Sequence, residues 1–184
     1  MVYIILAEGF EEIEALSPAD ILRRGGVEVK LASVQDKVVT GSHGIKVEAD
    51  CLISDIVPEE SEFIVIPGGL RGVTNLLASG KVEELLRNAY AAGKPVGAIC
   101  AGPRVLAKAG ILDSKRATCY PGVEAQVTEV CSAVMTQEAP VIVDGRVITS
   151  RAAGTACDFG LAILAYLRGA DAAEKVRAAI WYNT

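Results

Sequence analysis

Residues 96–103 have the sequence Val-Gly-Ala-Ile-Cys-Ala-Gly-Pro, a short apolar run that meets a sharp turn at Cys100. Small residues, Ala98 and Gly102, stand two positions before and two positions after the cysteine. This pattern is typical of a nucleophile elbow, in which a strand, a strained turn and a helix expose one reactive side chain. Because the sulfur would lie at a helix N-terminus, we expect the thiolate to be favoured. The alternative is a buried thiol that packs as a small hydrophobe.

Short apolar runs alternate with helical periodicities on both sides of the elbow. Strands are predicted at residues 2–6, 27–32, 63–66 and 95–99, and hairpins at 38–47 and 141–148. Helices are predicted after residue 9, after residue 69, after residue 100, and at 154–167 and 172–181. This order predicts one α/β domain over residues 1–184, a three-layer sandwich with a mainly parallel sheet. Ligands of such sheets bind beyond the carboxyl ends of the strands.

Composition excludes several function classes. The net charge is −5 over 184 residues, so nucleic acid is not an expected partner. The apolar stretches are too short to span a membrane, and the N-terminus lacks the pattern of a signal peptide. Five cysteines without a CxxC motif indicate free thiols in a reducing cytoplasm. A single histidine and the absence of GxGxxG predict that the protein has no metal and no cofactor.

Two further segments are expected at the same sheet edge as the elbow. Gly68 and Gly69 follow a strand, where backbone N–H groups form either an oxyanion hole or an ordinary turn. Four glutamates crowd residues 8–14, and we interpret Glu11 and Glu12 as helix-dipole compensation on a solvated turn. Glu14 stands among apolar residues and is expected to face inward, where burial would raise its pKa.

These motifs resemble the ThiJ/PfpI superfamily, in the branch of the parkinsonism-associated protein deglycase. The matching segments are residues 4–7 with 11–14, 20–26, 65–69, 98–103 and 149–155. The resemblance implies a flavodoxin-like fold of the class I glutamine amidotransferase type and a homodimer. It also implies roles for particular residues: Cys100 as the reactive cysteine, Glu14 as the carboxyl bonded to its sulfur, and Gly68, Gly69 and Ala101 as backbone donors. Arg24 and the segment of residues 149–155, with Arg151, are expected near the site, either within the chain or across the dimer interface.

The sequence departs from the family pattern at two positions. Ala101 stands where the protease-like branch has a histidine after the nucleophile, so protease activity is not expected. Tyr120 stands where some members have a histidine, and a phenol with its usual pKa near 10 is a poor base. His43 is interpreted as a turn residue, at a position where other members have an arginine near the pocket mouth. Cys119 is interpreted as a loop cysteine, with a resolving thiol as the alternative.

The sequence leaves three possible functions open. The first is an enzyme in which Cys100 attacks methylglyoxal-type aldehydes or their protein adducts while Glu14 moves the proton. The second is a redox-responsive protein in which Cys100 is oxidised to a sulfinate. The third is a chaperone-like role without catalysis. All three describe a stress-protective protein, and the first two require a reactive Cys100.

Overall fold

Strands and helices alternate along the chain, whose residues 1–182 are described by a computed structural model. The strands are β1 (Val2–Leu6), β2 (Val29–Ser33), β3 (Val38–Thr40), β4 (Lys46–Glu48), β5 (Cys51–Leu52), β6 (Phe63–Ile66), β7 (Val96–Ile99), β8 (Arg116–Ala117), β9 (Val134–Met135), β10 (Val141–Asp144) and β11 (Val147–Ser150). The helices are α1 (Glu12–Arg24), α2 (Leu70–Ala78), α3 (Gly80–Ala91), α4 (Pro103–Lys108), α5 (Glu124–Thr128), α6 (Ala156–Arg168) and α7 (Ala170–Ala179).

Seven of the strands form one central sheet in the order β10-β11-β7-β6-β1-β2-β5. Every neighbouring pair in it is parallel except the β10–β11 hairpin. Strands β1, β6 and β7 are apolar apart from Tyr3 and Gly97, as expected for strands that are buried on both faces, and β11 is equally buried although it ends in Thr149 and Ser150. Because they are parallel, the turns after β1, β6, β7 and β11 all lie at one edge of the sheet. This edge holds the predicted site.

Helices cover both faces of the sheet. On one face, α1, α6 and α7 bury a cluster that includes Leu22, Phe159 and Leu164. On the other face, α2, α3 and α4 bury a second cluster, with Leu76 and Leu86 at its centre. The three-layer, flavodoxin-like α/β architecture with a mainly parallel sheet is therefore confirmed. None of the described helices has the length and apolar character that a membrane span requires.

The structure differs from the predicted elements mainly in short or interrupted segments. The helical stretch after Gly69 is two helices, because the extended backbone of Ser79 separates α2 from α3. The strand predicted from Val27 begins at Val29, since the Val27 N–H still donates to Leu22 O at the end of α1. Strands β5, β8 and β9 and helix α5 were not predicted, because two to five residues are too few to show a period.

Candidate functional site

Cys100 occupies the turn between β7 and α4, as the elbow pattern predicts. Its φ is +64°, in the left-handed region that residues other than glycine rarely adopt. The turn is held from two sides: the Cys100 N–H donates to Ser150 O at 3.0 Å, and Cys100 O accepts from the Tyr120 N–H at 2.9 Å. The backbone is therefore fixed at the carboxyl edge of the sheet, and the side chain is half-buried.

Glu14, in the first turn of α1, lies against this sulfur. Its side chain is 1% exposed and hydrogen-bonds with Cys100, as the sequence predicts. The Gly68 N–H donates to Glu14 Oε2 at 2.8 Å, and the Ala153 N–H is a second backbone donor to the carboxyl. Ala153 lies in the segment of residues 149–155 that the family resemblance places near the site, but its role as a donor was not predicted, because no local pattern marks a backbone donor.

The backbone donors around the sulfur differ in one respect from those expected. The N–H groups of Gly69 and Ala101 donate to the Cys100 sulfur. Gly68 was expected to do the same, but its N–H is directed to Glu14 instead. Its missing side chain is nevertheless essential, because a Cβ on Gly68 would lie 2.4 Å from Glu14 Oε2 and 2.7 Å from Cys100 Cβ. A glycine is therefore needed for the carboxyl and the thiol to meet.

Burial dominates the electrostatics of this pair. It raises the pKa of Glu14 to about 7, against the opposing hydrogen bonds from Cys100, Gly68 and Ala153. Burial and the Glu14 carboxylate raise the pKa of the Cys100 thiol to about 12, although Ala101 and Gly69 lower it. The expectation that the helix N-terminus favours the thiolate is thus wrong for the resting pair. A carboxyl with a pKa near 7 is instead well placed to accept the thiol proton when the sulfur attacks.

A cavity of about 670 Å³ opens above the sulfur. Its wall includes Cys100, Gly69 and Ala101, so the sulfur and both of its backbone donors face the space. Tyr120, which is 50% exposed, and His43 also line the cavity, as the family pattern suggested for both positions. The volume suits a small organic molecule and leaves room for the side chain of a peptide.

Two predicted site residues lie elsewhere in this chain. Arg24 ends α1, pairs with Asp20 at 2.6 Å and lines a different surface groove. Arg151 donates to Gln137 O and does not belong to the described lining of the Cys100 cavity. The structure therefore does not bring either arginine to the sulfur within one chain. An approach across a dimer interface stays a prediction, as does the homodimer itself.

Glu12 is not on a solvated turn, contrary to the sequence interpretation. It is 4% exposed, because the β3–β4 hairpin folds over it. Burial raises its pKa, but hydrogen bonds from the His43 side chain and from the backbone of His43 and Ile45 outweigh this effect and lower it to about 2. Glu11 does serve the helix start, since its Oε2 accepts from the Glu14 N–H at 2.7 Å.

The described residues include one group that could hold a metal ion. Glu11, Glu12 and His43 each offer a ligand atom, and these atoms lie within 4.8 Å of one another. The His43 Nδ1 is already hydrogen-bonded to Glu12 at 2.9 Å. The chemistry of Cys100 and Glu14 requires no metal at this position, because a thiol nucleophile and a carboxyl base suffice for addition to a carbonyl.

Residues 1–166 match the model of a protein family, the DJ-1/PfpI family. The chain belongs to this family. It is 36% identical to DJ-1beta of Drosophila melanogaster over 174 residues, which cover 94% of this chain and 92% of that protein. It is also 33% identical over 153 residues to Deglycase PfpI of Pyrococcus furiosus, covering 83% of this chain and 90% of the relative.

Solved structures of the family have the same architecture over the full chain. The crystal structure of Drosophila DJ-1beta gives a TM-score of 0.93 at 34% identity, covering 100% of this chain and 98% of that one. Oxidised Toxoplasma gondii DJ-1 gives 0.91 at 35% identity with the same coverage. Among longer relatives, DJ-1 homolog A of Arabidopsis thaliana is 37% identical, and the chain spans only 45% of its length.

Proposed function

We propose that this chain is a stress-protective enzyme that acts through Cys100 on methylglyoxal-type aldehydes or on their protein adducts. The observation that carries the proposal is the half-buried Cys100, which lines an open cavity and is hydrogen-bonded to the buried carboxyl of Glu14. A thiol beside a base with a pKa near 7 is suited to attack an electrophilic carbonyl at neutral pH. Family members that are named deglycases support the same class of chemistry.

The first step is addition of the thiol to the aldehyde. The Cys100 sulfur bonds to the aldehyde carbon, the C=O double bond becomes a C–O single bond, and Glu14 takes the thiol proton and delivers it to that oxygen. The product is a hemithioacetal, and no proton is gained or lost by the pair. The N–H groups of Gly69 and Ala101 lie against the sulfur and stabilise the negative charge that the sulfur acquires when its proton leaves.

The test is consumption of methylglyoxal and formation of lactate by the purified protein. Cys100→Ser should lose activity by about 1,000-fold or more, because the nucleophile acts as a unit with its base. Cys131→Ser is the matched control, since Cys131 is also half-buried but lies outside the cavity, and it should keep the parent rate. A methylglyoxal-modified peptide assayed in parallel distinguishes a free aldehyde from a protein adduct as substrate. Equal activity of Cys100→Ser and the parent would contradict the proposal.

A second function, redox response, is favoured by the donors that surround the sulfur. Peroxide would convert the Cys100 thiol first to a sulfenic acid and water, and a second peroxide would give the sulfinate. The sulfinate could accept hydrogen bonds from Gly69, Ala101 and a protonated Glu14. Glu14→Leu should therefore yield less Cys100 sulfinate at equal peroxide, measured by intact mass and peptide mapping. An unchanged yield would remove Glu14 from this role, and a Cys100–Cys119 disulfide would make Cys119 a resolving thiol.

A further inference from the structure

Two glutamates at the start of α1 converge on the single histidine of the sequence, which lies in the turn between β3 and β4. His43 Nδ1 lies 2.9 Å from Glu12 Oε2 and 3.9 Å from Glu11 Oε1. Ser42 Oγ, a neutral oxygen, lies 3.1 Å from the same Nδ1 and 3.2 Å from Glu12 Oε2. Nδ1 carries at most one proton, and this proton cannot be shared well among three oxygens. A cation bound between these atoms would contact several of them at once.

The spacing of these atoms is close to that of ligands around one transition-metal ion. Zinc binds imidazole nitrogen and carboxylate oxygen at about 2.0–2.2 Å, so two ligands of the same ion lie roughly 3.0–3.5 Å apart. Glu12 Oε2 is already at such a distance from His43 Nδ1, and Glu11 Oε1 is only slightly further away. The other oxygen of Glu11 accepts from the Glu14 N–H at 2.7 Å, which anchors this carboxyl beside the ring.

Negative charge exceeds positive charge at this place. The side chains of Glu11 and Glu12 are only 13% and 5% exposed, and hydrogen bonds lower the pKa of Glu12 to about 2. His43 contributes at most one positive charge, and within residues 1–182 no lysine or arginine forms an ion pair with either glutamate. Carboxylates removed from water require an opposite charge or a metal ion. A divalent ion on a neutral imidazole would balance both carboxylates.

We propose that Glu11, Glu12 and His43 bind one divalent transition-metal ion of the zinc class. A neutral His43 ring carries its proton on Nε2 and gives the lone pair of Nδ1 to the ion, and an imidazolium first releases one proton to solvent. The imidazole ligand favours zinc, cobalt, nickel or copper over magnesium and calcium, which prefer oxygen ligands. Water completes the coordination on the solvent side of the exposed ring.

The ion would join the start of α1 to the β3–β4 hairpin. Glu11 and His43 also line the Cys100 cavity, so the ion would lie on the wall of that cavity. The earlier prediction of no metal depended on ligand spacing along the chain, and Glu12 and His43 are 31 positions apart. Only the fold brings them together, and no step of the proposed aldehyde chemistry uses the ion.

The test is equilibrium dialysis of the metal-free protein against Zn²⁺, followed by metal analysis, for the parent, His43→Gln, Glu12→Gln and Glu48→Gln. Glu48 is the control, because it is exposed on β4 of the same hairpin and its substitution removes the same charge as Glu12→Gln. We expect one zinc ion per chain in the parent. Loss of a residue behind a metal ligand costs about 10–100-fold in affinity, so loss of a ligand should cost at least about 100-fold. Glu48→Gln should bind within about twofold of the parent.

His43→Gln is the deciding variant, because the ring is exposed and its replacement should leave the fold intact even where Glu12→Gln unfolds. Magnesium and calcium at the same concentrations should not displace the zinc. A parent that binds no zinc would overturn the inference. Zinc binding of equal strength in the parent and in His43→Gln would mark an adventitious ion and would also overturn it.

Cys100 is the rival ligand, since thiolates bind the same ions and the sulfur lines the same cavity. Cobalt(II) distinguishes the two sites, because a thiolate ligand gives an intense charge-transfer band that nitrogen and oxygen ligands do not give. We expect no such band and unchanged zinc affinity in Cys100→Ser. A thiolate band in the parent, with loss of zinc binding in Cys100→Ser, would place the ion on the sulfur and overturn the inference. These measurements use no aldehyde, so their failure and that of the proposed function are distinguishable.

Discussion

Two carboxyls in the first turn of α1, two residues apart, have pKa values that are shifted in opposite directions. Glu12 and Glu14 are both almost fully buried, at 4% and 1% exposure. Glu12 keeps its charge with a pKa near 2, whereas Glu14 has a pKa near 7. The difference has two causes: Glu14 lies deeper in the protein, so burial raises its pKa more, and Glu12 accepts more hydrogen bonds, from the turn that wraps around it. Solvent exposure alone therefore does not decide protonation.

This contrast divides the site into two functional parts. Cys100 lines the cavity and Glu14 lies buried against it, where low solvation keeps a proton available between carboxyl and sulfur. His43 forms part of the wall, and the buried Glu12 carboxylate behind it holds the exposed ring. One helix start thus places one carboxyl against a thiol and the other against a turn.

The largest effect on stability is expected at Glu12. Glu12→Ala leaves the N–H of His43 and the ring Nδ1 without their acceptor, and we expect a loss of about 3 kcal/mol in the free energy of unfolding. Glu11→Ala removes only an N-cap bond and should cost about 1 kcal/mol. Urea unfolding of both variants at pH 7 measures the difference. Equal losses would mean that Glu12 is no more than a second helix-start carboxylate.

Gly68→Ala should perturb Glu14 without affecting Glu12. The added Cβ would fall between the carboxyl and the thiol, and such overpacking should cost about 2 kcal/mol. Gly80→Ala is the control: its Cβ would meet open space at the start of α3, so stability should stay the same or rise by less than about 1 kcal/mol. Denaturant midpoints compare the two. A harmless Gly68→Ala would show that the pair does not need this close approach.

The two carboxyls should give opposite pH dependences of stability. The pKa of Glu14 rises from 4.5 to about 7 on folding, so the native state binds more protons and stability should fall as pH increases through this window. The pKa of Glu12 falls from 4.5 to about 2, so its contribution is complete above 4.5 and is lost as pH decreases toward 2. Subtracting Glu14→Gln and Glu12→Gln from the parent in urea unfolding at several pH values isolates each term. Slopes of the same sign would contradict the comparison.

The sequence predicted those parts of the site that depend on local patterns. The elbow at Cys100 follows from small residues around a strand end, and the strained turn that this pattern predicts is confirmed by the positive φ of Cys100. The burial of Glu14 could be predicted because, unlike the other glutamates near it, it stands between Ile13 and Ala15-Leu16. The central sheet followed from the alternation of apolar runs and helical periods, because buried parallel strands have a distinctive composition.

The rest depends on contacts between distant residues. Glu12 looked like an ordinary solvated acid, because the hairpin that buries it begins 26 positions later in the chain at Val38. The raised pKa of the Cys100 thiol could not be predicted from the elbow, since its causes are burial and Glu14, which come from packing. The N–H group of Gly68 was wrongly predicted to donate to the sulfur. Its true acceptor, Glu14, could not be predicted because it depends on where α1 lies across the sheet.

The most direct test of the account is the titration of the two carboxyls themselves. Carbon-13 labelled glutamate allows their carboxyl resonances to be followed by NMR from acid to pH 9, with Glu12→Gln and Glu14→Gln identifying each signal. The account predicts that the Glu14 resonance titrates near pH 7 and that the Glu12 resonance remains that of an ionised carboxylate down to pH values near 2. A Glu14 resonance that titrates near the ordinary value of 4.5 would contradict its role as the base that serves Cys100.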